Sequence, residues 1–175
     1  ITYGDWSSDV CSSDLFDRDG AAAIAGTPHA QAGGELATLL ERARTAGRSL
    51  GTGDEGTRWI TDNASRMPPR DLLATVCTAV GTCIGRAAID CGARRVVLAG
   101  GGARNLGLRR AIEAACPAAT TLPSSDLGLP LEARESAEMA VLGLLAWDGV
   151  PITLPAVTGR AEAGSRDGLW CLPRD

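Results

Sequence analysis

The sequence predicts an α/β fold, and three observations carry that expectation. Val96-Val97-Leu98-Ala99 is a β-branched run that stops at three glycines and leads into a helical pattern. Thr120 to Leu122 is a second brief extended run, again followed by helical spacing. Between Pro69 and Gly92 lies a segment with the length and apolar period of a buried helix. Strands that alternate with helices place the strands parallel in one sheet.

In chain order, residues 1–15 (ITYGDWSSDVCSSDL) have no hydrophobic period and repeat Ser-Ser-Asp around a cysteine. Asp5 to Leu15 also follows one reading frame of a common sequencing-library adapter, with Ile1 to Gly4 fitting an index tag ahead of it. Residues 1–15 are therefore expected to be adapter-derived and no domain, with the natural chain starting near Phe16, mid-domain. Gly34 to Ala46 places Leu36, Leu39, Leu40 and Ala43 on one face and predicts a short amphipathic helix. GRSLGTGDEGT (47–57) is Gly-rich, polar and too irregular for an element, which suits a connection. After Pro68 and Pro69, apolar residues recur at Leu73, Val76/Cys77, Val80, Ile84, Ala87/Ala88 and Cys91, and Gly92 is placed to end that helix.

Val96 to Ala99 has the character of a central parallel strand, and Gly100, Gly101 and Gly102 follow it. Glycines there can take positive φ and let a ligand or another backbone come close. LGLRRAIEAAC then has helical spacing at Leu106, Leu108/Arg109 and Ile112. The loop thus runs from a strand end to a helix N-terminus, where ligand sites of open α/β sheets lie. GGGARNLG is not a G-x-G-x-x-G fingerprint, and without lysine it is no G-K-[ST] phosphate loop. A nucleoside face fits it better than a triphosphate cradle. Beyond Pro117, a helix is expected from about Leu131 to Trp147 with Ala137, Ala140/Val141 and Leu144/Leu145 as its buried stripe. Glu132, Glu135 and Glu138 crowd its first turns, where the helix dipole favours carboxylates.

Composition excludes several function classes. The chain has 175 residues, 45% of them hydrophobic, and a net charge of −4, as befits about one domain. All 17 basic residues are arginines, scattered among 21 acidic ones, so no nucleic-acid stripe emerges. No apolar run reaches the roughly 18 to 20 residues of a membrane span, and no leader opens the chain. The expected compartment is the cytoplasm, with no membrane and no nucleic acid as partner. Six cysteines (Cys11, Cys77, Cys83, Cys91, Cys116 and Cys171) form no CxxC pair and His29 is the only histidine, so no metal site is expected and the thiols read as buried and reduced.

Taken together, VVLAGGGARN (96–105), SSDLGLPLEARESAEMA (124–140) and the tail W-x-G-x-P-x-T-x-P-x-x-T-G from Trp147 resemble the C-terminal half of the anhydro-N-acetylmuramic acid kinase family. FDRDG (16–20) and PPRDLLATVCTAV (68–80) resemble it too. The resemblance implies that residues 16–175 are the C-terminal lobe of an actin-like, ribonuclease H-like ATPase fold, incomplete here. It implies an enzyme of peptidoglycan recycling that uses ATP with Mg²⁺. Such an enzyme opens the 1,6-anhydro bond with water and phosphorylates O6, giving N-acetylmuramic acid 6-phosphate and ADP. Its implied partners are the two substrates, the missing N-terminal lobe and, for the full-length enzyme, a second copy in a homodimer.

By the same resemblance Gly100, Gly101, Gly102 and Asn105 contact the nucleoside, and Glu135 is an auxiliary catalytic group facing the anhydrosugar. The general base is expected in an Asp-Thr-Gly-Pro-Gly-Asn-like string, which this sequence lacks, as it lacks a Ser-Gly-Thr-Ser-like phosphate loop. The family's Lys-Ser-Thr-Gly stretch has no counterpart either, the comparable region reading GTGDEGT. The chain by itself is therefore expected to be inactive. Two readings stand beside this one: a non-catalytic nucleotide-binding lobe, and a different actin-like sugar kinase, since GGG-x-x-N is shared among such enzymes.

Overall fold

A computed structural model describes residues 17–48, 55–153 and 155. The adapter-frame segment 1–15 and positions 49–54 of the Gly-rich stretch lie outside them, as do Cys11 and Cys171. The chain divides into two compact units, Ile1–Leu131 and Glu132–Asp175.

The first unit is built around one helix. Pro69 sits in its first turn, where a missing N–H costs nothing, and the helix α4 runs Pro69–Asp90. Gly92, at φ 65°, ends it, and the Ala93 N–H returns to the Ala88 carbonyl at 2.8 Å. By length and hydropathy α4 is the one helix among the described residues that could cross a membrane. Here it is the core instead, carrying Val80, Cys83 and Ala88 into the interior. Two shorter helices precede it on this side, α1 (Ala21–Ala25) and α2 (Ala30–Thr45).

The α2 helix starts four residues before the predicted Gly34. Its cap is His29, whose Nδ1 accepts the Ala32 N–H at 3.2 Å. The His29 N–H in turn donates to the Thr75 hydroxyl at 2.9 Å, and that fully buried hydroxyl donates to the Asp71 carbonyl at 2.6 Å. A polar tie to α4 therefore places the start of α2, and the apolar period of residues 34–46 carries no sign of it. Leu36, Leu40 and Ala43 are buried as the period predicted. At the far end Arg44 bridges Glu41 and Asp90, each at 2.5 Å, joining the C-termini of α2 and α4; Arg44 holds the Glu41 carboxyl below its usual range.

Residues 55–57 are helical, contrary to the reading of 47–57 as connection throughout: they open α3, Glu55–Ala64. Trp59 is buried in the cluster of Leu36, Leu40, Ala79 and Val80, and Met67 packs against it. The aromatic anchor, not local propensity, holds this polar helix in place.

After α4 the chain forms β1 (Arg95–Leu98), α5 (Leu106–Ala115) and β2 (Thr120–Pro123), a βαβ unit. The strands are parallel, with Arg95 opposite Thr120 and Leu98 opposite Pro123. The strand was expected to be central and covered on both faces. Instead Val96 and Leu98 pack beside Ile112 and Cys116 while Val97 is 47% exposed, because the core covers one face only. Gly81 and Gly85 let α4 approach α5 closely: a Cβ on Gly81 would lie 2.9 Å from the Ile112 nitrogen, and one on Gly85 would lie 2.9 Å from the Ala115 carbonyl carbon.

A 3₁₀ turn at Leu131–Ala133 starts on the last residue of the first unit and leads into α6, Arg134–Trp147, of the second. Its predicted stripe is not buried: Val141 and Leu144 are 55% and 66% exposed, and Ala140 is exposed as well. Only Ala146 of this helix is buried, since the described residues of the unit offer no second layer. Cys83 and Cys116 are buried as expected and Cys77 partly so, but Cys91, beyond the last turn of α4, is exposed.

Replacing Gly85 with Val should lower the unfolding free energy by about 1–3 kcal/mol, because its side chain would enter the α5 backbone. Gly34→Ala, in open space on α2, should raise it by about 0.5–1 kcal/mol. Urea denaturation of both variants measures the pair, and equal effects would show that the α4–α5 contact yields freely.

Candidate nucleotide site

Beyond β1, the three glycines perform three different tasks. Gly100 has φ 80° and ψ 176°, a conformation essentially confined to glycine, and its N–H donates to the Leu131 carbonyl at 2.8 Å. Gly101 and Gly102 do not have positive φ; they open a 3₁₀ turn, Gly101–Arg104. Of the two uses open to glycines here, positive φ is taken by Gly100 alone. Gly101 is exposed, and a Cβ there would meet no heavy atom within 4 Å. At Gly102 a Cβ would touch only the tip of Leu108, at 3.8 Å. The middle of the loop is therefore bare backbone facing open space at the C-terminal end of a parallel strand.

Ala103, the one buried residue of the turn, anchors the loop, its N–H donating to the Gly100 carbonyl at 3.1 Å. Asn105 then closes it. Its own N–H donates to the Gly102 carbonyl at 3.1 Å, and its Oδ1 caps α5 by accepting the Leu108 N–H at 3.0 Å. The same oxygen faces the Cys77 thiol at 3.8 Å. Burial, with the Asp17 carboxylate adding to it, pushes that thiol up to about 11, so it remains a protonated donor at neutral pH. The Asn105 carbonyl oxygen is thus spent inside the protein, and its amide nitrogen is the part left for a ligand.

Next to this loop ends β2, whose register sets Pro123 beside Leu98. Thr121 Oγ1 and Ser124 Oγ are buried there with no hydrogen-bond partner among the described residues. Sequence reading assigned neither a role, and nothing in a Thr-x-x-Ser spacing announces one.

Glu135 belongs to the second unit, in the first turn of α6. Its side chain is 74% exposed and its Oε1 accepts from Arg134 Nη2 at 3.0 Å. Arg134 also donates through Nη1 to both Glu138 oxygens at 2.9 Å, so Glu138 is ion-paired. Among the described residues no group of three His, Cys, Asp or Glu side chains is placed to hold a metal ion.

A family model described as anhydro-N-acetylmuramic acid kinase matches residues 5–168. The chain belongs to that family. Among relatives in the anhydro-N-acetylmuramic acid kinase family, the Streptomyces coelicolor protein is 33% identical over 154 residues, covering 85% of this chain and 39% of the relative. The Salinibacter ruber protein is 31% identical over 94% of this chain and 45% of its own length. For the Methylobacterium nodulans protein the figures are 31% identity, 97% and 44%. The chain thus spans about two fifths of the length of these relatives, members of a phosphotransferase family whose fold is actin-like.

Gly100→Ala should cost about 1–3 kcal/mol of stability, since its backbone conformation excludes a Cβ. Gly101→Ala should stay within about 0.5 kcal/mol of the parent, as expected of an open surface position. Denaturant midpoints separate the two, and an equal loss at both would mean that the loop is strained throughout.

Proposed function

We propose that residues 16–175 are the C-terminal, nucleoside-side part of an ATP-dependent kinase with the duplicated actin-like fold, residues 1–15 taking no part in it. The whole protein would join water, anhydro-N-acetylmuramic acid and ATP to give N-acetylmuramic acid 6-phosphate and ADP. Water opens the 1,6-anhydro bond, and the freed O6 takes the γ-phosphoryl group. Its place is the cytoplasm, where ATP and recycled cell-wall sugar meet, and the full-length enzyme is proposed to be a homodimer.

The observation that carries this reading is the bare backbone at Gly101, which presents no side chain at the C-terminal end of β1. A flat nucleoside can approach peptide groups there without displacing anything. Gly100 and Gly102 shape the floor, and the Asn105 amide nitrogen offers a donor at its edge. The described residues of the loop suit the nucleoside end of ATP, and no Mg²⁺ ligand set is assigned among them. Glu135 is proposed to face the anhydrosugar as a hydrogen-bond acceptor once Arg134 yields it. The base that activates water is assigned to the part of the relatives that this chain does not span.

Phosphoryl transfer depends on positioning and electrostatic stabilisation from both walls of a cleft. One wall binds reactants and transition state alike and lowers no barrier. The chain alone should therefore bind ADP weakly and form no sugar phosphate. Calorimetric titration with ADP tests the first statement: Gly101→Val should raise the Kd by about tenfold or more, a branched side chain filling the open face at a cost near 1.4 kcal/mol. Unchanged affinity would reduce the glycines to a turn.

Fusing the N-terminal half of the Streptomyces coelicolor relative ahead of Phe16 should restore turnover. In that hybrid Glu135→Gln should lower kcat by about tenfold or more, as for a carboxylate that meets developing charge. Glu113→Gln, an exposed carboxylate on α5, should be neutral. Glu138 is not a clean control, because it shares Arg134 with Glu135. Equal, small effects of Glu135→Gln and Glu113→Gln would return Glu135 to the solvated face.

A further inference from the structure

The turn at Asp17–Gly20 holds the strain that the glycine loop largely lacks. Asp19, at φ 56°, is the only non-glycine residue with positive φ among the described residues, and Gly20 follows at φ 75°. Two successive left-handed residues persist only where the surroundings over-determine them. The surroundings here are specific. The Asp17 carboxylate accepts the Ala22 N–H through Oδ1 at 2.7 Å and the Ala23 N–H through Oδ2 at 3.0 Å, while the Gly20 N–H donates to the Asp17 carbonyl at 3.1 Å. So folded, the turn presses buried Gly20 against the Asn105 side chain: a Cβ on Gly20 would lie 2.8 Å from Asn105 Cγ and 2.9 Å from the Gly107 nitrogen. One step further on, a Cβ on Gly107 would lie 2.9 Å from the Ala23 Cβ. Ala23 is the residue whose N–H Asp17 holds.

We infer that Asp17 and Gly20 are positioning residues for the nucleotide site, the Asp17–Gly20 turn clamping the Asn105 amide so that the glycine loop keeps its far end fixed. The inference rests on the reading of that loop as the nucleoside floor. Asn105 Oδ1 can cap α5 only in one orientation of its amide, which also decides where the amide nitrogen points. Gly20 blocks retreat from one side, and the protonated Cys77 thiol lies against the same oxygen. An extra methyl at Gly20 or a weakened grip at Asp17 frees the amide to turn. The cap on Leu108 and the donor at the ligand edge are then lost together.

Two variants and one control test this in the chain itself, read by amide hydrogen exchange and by ADP titration. Gly20→Ala adds the methyl, and Asp17→Asn keeps the shape but leaves one acceptor oxygen for two N–H groups. Gly47→Ala is the control, with the same left-handed backbone (φ 64°) and no heavy atom near its Cβ. In both variants the Leu108 amide should exchange about tenfold faster relative to α2 amides, the scale of one lost hydrogen bond, and the Kd for ADP should rise by a similar factor. Gly47→Ala should alter neither ratio. If Leu108 exchange in both variants simply follows the α2 amides, the clamp is refuted while the nucleotide reading stands. Faster Leu108 exchange with unchanged ADP affinity refutes the positioning role. A parent chain that binds no ADP refutes the nucleotide reading, and Leu108 exchange then still decides the clamp.

Discussion

Close approach of α4 and α5 is the constraint from which the first unit is assembled. Gly81 and Gly85 lie one turn apart on α4 and meet Ala111 and Ala115, one turn apart on α5. Small residues on both sides bring the two backbones together, and dispersion contacts accumulate over the length of the seam. Ile112, 1% exposed, fills the space between this seam and the sheet. A two-stranded sheet has little stability alone. Here β1 and β2 are held because both are tethered to the ends of α5, which α4 fixes.

The same seam sets the position of the glycine loop. Once α5 is seated, its N-cap Asn105 has one place to be, and β1 delivers the chain to Gly100 from the other side. The loop spans a gap fixed at both ends. That geometry permits a single strained residue, Gly100, and leaves Gly101 bare. A site whose floor is backbone needs this kind of external support, since peptide groups have no side-chain contacts of their own to hold them. The support comes from elements distant in sequence: α4 through Cys77, and the N-terminal turn through Gly20.

The second unit follows a different logic. α6 is apolar along much of its length, yet Met139, Leu144 and Trp147 are each more than 60% exposed. An apolar helix needs another layer, and the described residues of this unit supply none.

Period and punctuation in the sequence determined the elements whose cause is local. Leu36, Leu40 and Ala43 announced α2, the double proline and Gly92 bounded α4, and the β-branched run before Gly100 marked β1 and its loop. The motif set from Val96 to Gly159, with FDRDG and the double-proline segment, was enough to name the family. Tertiary structure alone decided the rest, because the causes lie far apart in the chain. The start of α2 depends on a hydroxyl 46 residues away, at Thr75. The α3 helix depends on a pocket for Trp59 built by α2 and α4. Which glycine carries positive φ depends on where Leu131 accepts the Gly100 N–H, and burial of a stripe such as that of α6 depends on a partner layer. Hydrophobic period reports which face could be buried; only the assembled neighbours decide whether it is.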